Sequence, residues 1–158
     1  MSGVSEMGLN VELGYVIHHK GLPGATGTQL VHPTGPGERW SFDVIGAALQ
    51  VHKQVGPGLL ESAYDACLCR ELTLRAIPYQ RQVPLPLKYR GISIDCGYRL
   101  DLLVGHLVVV ELKSVAKVLP IHRAQVMTYL KLLKVRLGLI INFNVTALHQ
   151  GVYRIAQD

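Results

Sequence analysis

Three charged residues fall inside the apolar stretch at 98–113, at places an ordinary core would not choose: Asp101, Glu111 and Lys113. The stretch reads as two strands joined by a tight turn at Gly105-His106. Residues two apart on a strand share a face, so Glu111 and Lys113 point the same way. Two carboxylates and an ammonium on a buried sheet face are costly unless they pair or hold a metal. Carboxylate oxygens are hard ligands that suit Mg²⁺ or Mn²⁺, and a cation so held can orient water and neutralise a phosphate. Lys113 is placed to position or activate that water, or to stabilise developing negative charge. The chemistry these residues suit is metal-assisted phosphodiester hydrolysis.

That chemistry constrains the turn. A two-residue turn would pair Val104 with Leu107 and Asp101 with Val110, sending Asp101 to the face away from Glu111. A metal site needs a three-residue loop, Gly105-His106-Leu107, that pairs Val104 with Val108, or else a bulge. Two helices flank the hairpin. One is expected over 59–76, with Leu60, Tyr64, Leu68 and Leu72 on its apolar side. Its first turn carries Glu61, which either serves the helix dipole or reaches the site. The other opens at Pro120 and runs to about 134. Gln125 and Tyr129, four apart, share one of its faces. Gln125 is a candidate holder of water or phosphate. Tyr129 either contacts a nucleic-acid backbone or packs as a core aromatic. His122 is either a phosphate contact or a first-turn surface residue.

Asp101…Glu111-Leu112-Lys113 resembles the signature of the PD-(D/E)XK nucleases, and Gln125…Tyr129 resembles the QxxxY element of their RecB-like branch. Gly58-Leu59-Leu60-Glu61-Ser62-Ala63-Tyr64 is similar to the motif that names the bacterial GxxExxY proteins. Val51-His52-Lys53, Gly56-Pro57-Gly58, Pro120-Ile121-His122 and Ile141-Asn142-Phe143-Asn144-Val145 resemble that group too. The likeness covers about 44–155. It implies an α/β fold with a mixed β-sheet flanked by α-helices. It implies metal roles for Asp101, Glu111 and the Leu112 backbone carbonyl, with Glu61 a further candidate ligand. It implies a catalytic role for Lys113 and supporting roles for Glu61 and Gln125. Leu100 stands where the superfamily name has proline.

Length and composition fit this reading. The 158 residues suit one domain with one core, and 49% are hydrophobic. The net charge is +5, unevenly placed. Between 79 and 157 the acids are Asp95, Asp101 and Glu111, against eleven Lys and Arg. With a cation on two of those acids, that half suits a phosphate backbone. Tyr129, His122, Arg123 and Lys117 are the candidate nucleic-acid contacts. Cys67, Cys69 and Cys96 fit neither a zinc ribbon nor a disulfide framework, and read as small reduced side chains. No apolar run is long enough for a membrane helix and no secretory signal is read, so the cytoplasm is the expected compartment.

Residues 1–39 are rich in Gly and Pro, and form an expected flexible extension with a short strand at 11–17. The domain is expected over 40–158. It starts near Trp40, with Ser41 or Asp43 capping a helix that Gly56-Pro57-Gly58 stops. Pro84 and Pro86 mark 79–89 as an edge or broken strand. After the Arg90-Gly91 turn, 92–94 is expected to run on into the 98–104 strand. Further strands are expected at 107–113, 137–143 and 151–155.

Three functions compete. The first is a Mg²⁺-dependent deoxyribonuclease. The second is a catalytically silent nucleic-acid-binding or assembly module of the same fold. The third is an unrelated α/β domain with a buried ion pair, Glu111–Lys113 or Asp101–Arg99. The small size favours a second copy or a protein partner beside the nucleic acid.

Overall fold

The structure, a computed structural model, describes residues 34–158. The chain runs α1 (Pro36–Val55), α2 (Glu61–Leu74), β1 (Tyr79–Pro84), β2 (Leu87–Tyr89), β3 (Ile92–Ile94), β4 (Arg99–Val104), β5 (Val108–Lys113), α3 (Pro120–Leu133), β6 (Leu137–Asn142), a 3₁₀ turn (Leu148–Gly151) and β7 (Val152–Ala156). Five strands make one sheet in the order β1-β4-β5-β6-β7. β5 and β6 are parallel, joined through α3, and the other neighbours are antiparallel. This is the mixed, helix-flanked α/β sheet expected from the sequence.

The central strands β5 and β6 are apolar on both faces because helices cover both. On one side α1 and α2 pack Val44, Val51, Tyr64 and Leu68 against Leu102, Val110 and Ile141. On the other, α3 packs Val126, Tyr129 and Leu130 against Leu103, Val109 and Ile140. Strand alternation then puts Asp101, Glu111 and Lys113 on the α3 side, in register with Leu103 and Val109. α3 lies close to the sheet: a Cβ added at Gly138 would stand 2.7 Å from Val126 Cγ1.

The structure departs from expectation in three places. α1 begins at Pro36, with Gly35 before it, rather than at Ser41 or Asp43. Proline suits a helix's first position, where its missing N–H has no bonding partner to lose. Ser41 is therefore inside the helix and buried, its hydroxyl donating to Glu38 O at 2.7 Å. α2 begins at Glu61, two residues later than expected. Ile92–Ile94 does not extend β4. It pairs with β2 in a separate hairpin, through Arg90 and Gly91 at φ 44° and 84°. Two successive positive φ values make the tight turn that such a hairpin needs. The expected strand at 11–17 lies outside the described residues. Cys67, Cys69 and Cys96 are free thiols. Among the described residues no helix is long and apolar enough to cross a membrane.

Candidate functional site

The β4–β5 turn has the required length. Val104 pairs with Val108, Leu103 with Val109 and Leu102 with Val110, so the next position brings Asp101 opposite Glu111 on one face. The loop is Gly105-His106-Leu107, closed by Leu107 N donating to Val104 O at 3.0 Å. Gly105 and His106 take φ 56° and 58°, and Trp40 lies so close to Gly105 that a Cβ there would meet its ring nitrogen at 2.3 Å.

Backbone pairing stops at Leu102–Val110, and the two carboxylates take over. Asp101 N donates to Glu111 Oε1 at 3.1 Å, and Leu112 N donates to Asp101 Oδ2 at 2.8 Å. Each carboxylate is thus aimed by an amide of the neighbouring strand. Glu111 is 4% exposed. Burial, reinforced by the Asp101 charge, pushes its carboxyl up to about 8. Burial also raises Asp101, against the Leu112 N–H and the Lys113 charge, which favour its ionised form. Among the described residues the ion pairs are Arg39–Asp43, Arg75–Glu71, Arg81–Asp65 and Arg154–Glu38. Neither Glu111–Lys113 nor Asp101–Arg99 is formed, so the buried-ion-pair reading fails.

Lys113 ends β5, on the same face as Glu111 and half-buried. Glu61 is the first residue of α2, solvent-exposed at the site's rim. Partial desolvation at that rim raises its carboxyl, and it is near enough to Lys113 and Asp101 to feel both charges. On α3, Gln125 Nε2 donates to Tyr129 Oη at 2.6 Å. Tyr129 is buried in the α3 core and its hydroxyl is raised, first by burial and then by the Glu111 charge. It is therefore both a core aromatic and a neighbour of the carboxylates. His122 Nδ1 accepts from Leu119 N at 3.0 Å, a helix-end role. Arg123 lays its guanidinium over Tyr153 of β7, 4.7 Å from the ring centroid. Lys117 is exposed in the loop before α3.

Four supporting residues escaped the sequence reading as site residues. Asn142, buried at the end of β6, accepts from Val115 N at 3.1 Å and from Asn144 N at 3.2 Å, and donates to Val115 O at 2.9 Å. With Phe143 N donating to Lys113 O at 2.9 Å, it fixes the chain as it leaves Lys113. Ser114 Oγ donates to Leu59 O at 2.6 Å, tying that exit to the start of α2. Tyr64 Oη donates to Gly56 O at 2.6 Å and accepts from Leu59 N at 3.1 Å, while its ring stacks on Phe143 with centroids 4.4 Å apart. Gln82, on β1 between the partners of Leu102 and Leu100, stands at φ 53°, and its side chain favours the ionised form of the Asp101 carboxyl. The one available signal was that Gly56, Gly58, Tyr64 and Asn142 all lie in the motif segments singled out above. Nothing in the sequence marked Gln82.

Among the described residues no group of three or more His, Cys, Asp and Glu side chains forms a metal cluster. The donor set is two opposed carboxylates, Glu111 buried and Asp101 half-buried, with no ion pair to either among the described residues. That chemistry fits a hard divalent cation, which needs oxygen ligands and would cancel their mutual repulsion.

A five-stranded mixed sheet between helices, with an acidic pair and a lysine where two central strands open, defines a restriction-endonuclease-like α/β fold. The family model of the PD-(D/E)XK nuclease superfamily matches residues 38–155, and the chain belongs to that superfamily. Comparison with curated proteins and with solved structures finds no match.

Proposed function

We propose that the protein is a divalent-metal-dependent nuclease that hydrolyses phosphodiester bonds in DNA. The observation that carries this reading is the Asp101–Glu111 pair, held by reciprocal amide bonds, with Lys113 near but ion-paired to neither carboxylate. Asp101 and Glu111, with the Leu112 carbonyl as a third oxygen, would hold Mg²⁺ or Mn²⁺. The bound cation would supply charge neutralisation at the phosphate and a lowered pKa for attacking water. Lys113, on the same face, orients that water and stabilises charge on the phosphate oxygens. Gln125, bonded to Tyr129, still has a carbonyl oxygen and a second N–H with which to hold water or phosphate. Glu61, raised by partial desolvation, is positioned at the rim to take or give a proton. Gly58, Glu61 and Tyr64 support a finer placement in the GxxExxY group. There the tyrosine fixes the loop that sets Glu61 in place.

The test is cleavage of linear and circular, single- and double-stranded DNA, and of RNA, with Mg²⁺, Mn²⁺ or EDTA. Metal-dependent cutting should fall by about 10²-fold or more in Asp101→Asn and in Lys113→Ala. Cutting that persists in both would assign the activity to other residues. Salt-sensitive binding with no turnover under any metal would favour the silent-module reading.

A further inference from the structure

We propose that the β2–β3 hairpin and Tyr98 form a base-stacking surface that leads single-stranded nucleic acid to the Asp101–Glu111 pair; this rests on the nuclease reading above. The hairpin pairs with no strand of the main sheet. Its register, Leu87 opposite Ile94 and Tyr89 opposite Ile92, gathers four apolar side chains on one face. Leu87 and Ile94, near the base, are half-buried, whereas Tyr89 and Ile92 at the tip are 58% and 61% exposed. An isolated two-stranded hairpin is marginal in water, so an uncovered apolar tip is not there to stabilise the fold.

Charge and position identify the occupant. Arg90 holds its guanidinium 5.8 Å from the Tyr89 ring centroid, and Lys88 lies on the opposite face. The one acid nearby, Asp95, accepts from Gly97 N at 3.1 Å. The tip is therefore an aromatic ring with one guanidinium beside it and a lysine on the hairpin's other face, a pairing of ring and cation that suits the bases and phosphates of a single strand. The base of the hairpin leads to the site. Leu85, buried beside Tyr129 in the α3 core, donates its N–H to Tyr98 O at 2.8 Å. Tyr98, 45% exposed, places its ring centroid 6.4 Å from that of Tyr129, whose hydroxyl is bonded to Gln125. Tyr89 thus marks the hairpin's tip, and Tyr98, on the stretch that returns from the hairpin to β4, stands beside the helix that faces the carboxylates. Base faces are open to such rings in single strands and covered by neighbours in a duplex.

The test uses the full chain in EDTA, so that binding is read without cleavage. Fluorescence anisotropy would compare a labelled oligothymidine of about 20 nucleotides, its abasic counterpart and a duplex, a length chosen to exceed the site sizes of single-strand grooves. Tyr89→Ala should weaken oligothymidine binding about tenfold or more, and Tyr89→Phe should retain it. The abasic strand should bind the parent more weakly and ignore the Tyr89→Ala change. Equal affinity of parent and Tyr89→Ala for oligothymidine, or of the parent for base-bearing and abasic strands, overturns the proposal. So does a parent dimer in sedimentation that Tyr89→Ala dissociates, since the tip would then face a second copy. Tyr89-dependent binding without cleavage under any metal would sustain this surface and sink the nuclease reading. Metal-dependent cleavage with Tyr89-independent binding would do the reverse.

Discussion

Glu111 is the more deeply buried carboxylate of the pair, and its ionisation has a readable consequence. Its folded carboxyl stands near 8, above the ordinary value of 4.5. Between those values the folded state holds a proton that the unfolded state has lost. Stability from this group is therefore complete below 4.5 and lost as pH rises through about 8. Asp101 and Glu61 are raised too and act in the same sense. Metal-free protein should melt several degrees lower at pH 8.5 than at pH 5.5, at about 4 °C per kcal/mol of lost stability. Mg²⁺ should restore the loss at the higher pH and do little at the lower, because it competes with protons for the same oxygens. Thermal melts in EDTA and in Mg²⁺ at both pH values check this; a Mg²⁺ effect of equal size at both would contradict it. Glu111→Gln should raise the melting temperature in EDTA at pH 8.5 and abolish both the Mg²⁺ response and cleavage. Such a variant exchanges function for stability.

At the scale of elements, the site depends on how strand ends are tied. From a buried position Asn142 holds the chain after Lys113 with two hydrogen bonds to Val115 and fixes its own exit with a third from Asn144 N. Asn142→Ala leaves those backbone groups unmet and should cost about 2–3 kcal/mol in denaturant unfolding, with a fall in cleavage at temperatures where the variant is still folded. Gly151 makes the return to β7 possible, since a Cβ there would stand 2.0 Å from Asn142 O. Gly151→Ala should therefore be more damaging than Asn142→Ala, to the point of poor folding at 37 °C. Expression and melting of the two variants side by side test that order. α2 is set by two ties, the Tyr64 bonds to the Gly56–Leu59 loop and the pairing of Arg81 on β1 with buried Asp65, Nε to Oδ2 at 2.7 Å. Some of this was legible in the sequence. Charges inside apolar strands marked the site, and face parity demanded a three-residue turn or a bulge, of which the structure has the turn. The Ile92–Ile94 hairpin was not legible, because its apolar alternation suits an extension of β4 equally well. What separates it is backbone conformation at Arg90 and Gly91. The Asn142 clamp was hidden because the Val115 backbone it grips lies far along the chain.

For the molecule as a whole, charge placement makes binding depend on salt. Among the described residues the basic side chains of the second half, Lys117 included, face few acids other than the carboxylate pair. Single-strand affinity should fall linearly on a log–log plot against salt, with about 0.7 of slope for each phosphate neutralised. Lys117→Ala should lower that slope by about 0.7 and weaken all sequences alike. A titration of anisotropy across salt concentrations reads both, and an unchanged slope would remove Lys117 from the interface. The helix-flanked sheet and the acidic pair were foreseeable from the chain, because burial of both faces of β5 and β6 leaves few other ways to arrange them. The start of α1 at Pro36 and the strained Gln82 beside Asp101 were not, since each is set by local backbone conformation rather than by pattern. The central claim is that Asp101 and Glu111 share a divalent cation. Anomalous diffraction from crystals soaked in Mn²⁺ at pH 8 tests it most directly. A Mn²⁺ peak is expected between the two carboxylates, at about 2.1 Å from an oxygen of each, as hard-cation coordination requires. Carboxylates left bare at saturating Mn²⁺, or a peak held by other residues, would contradict it.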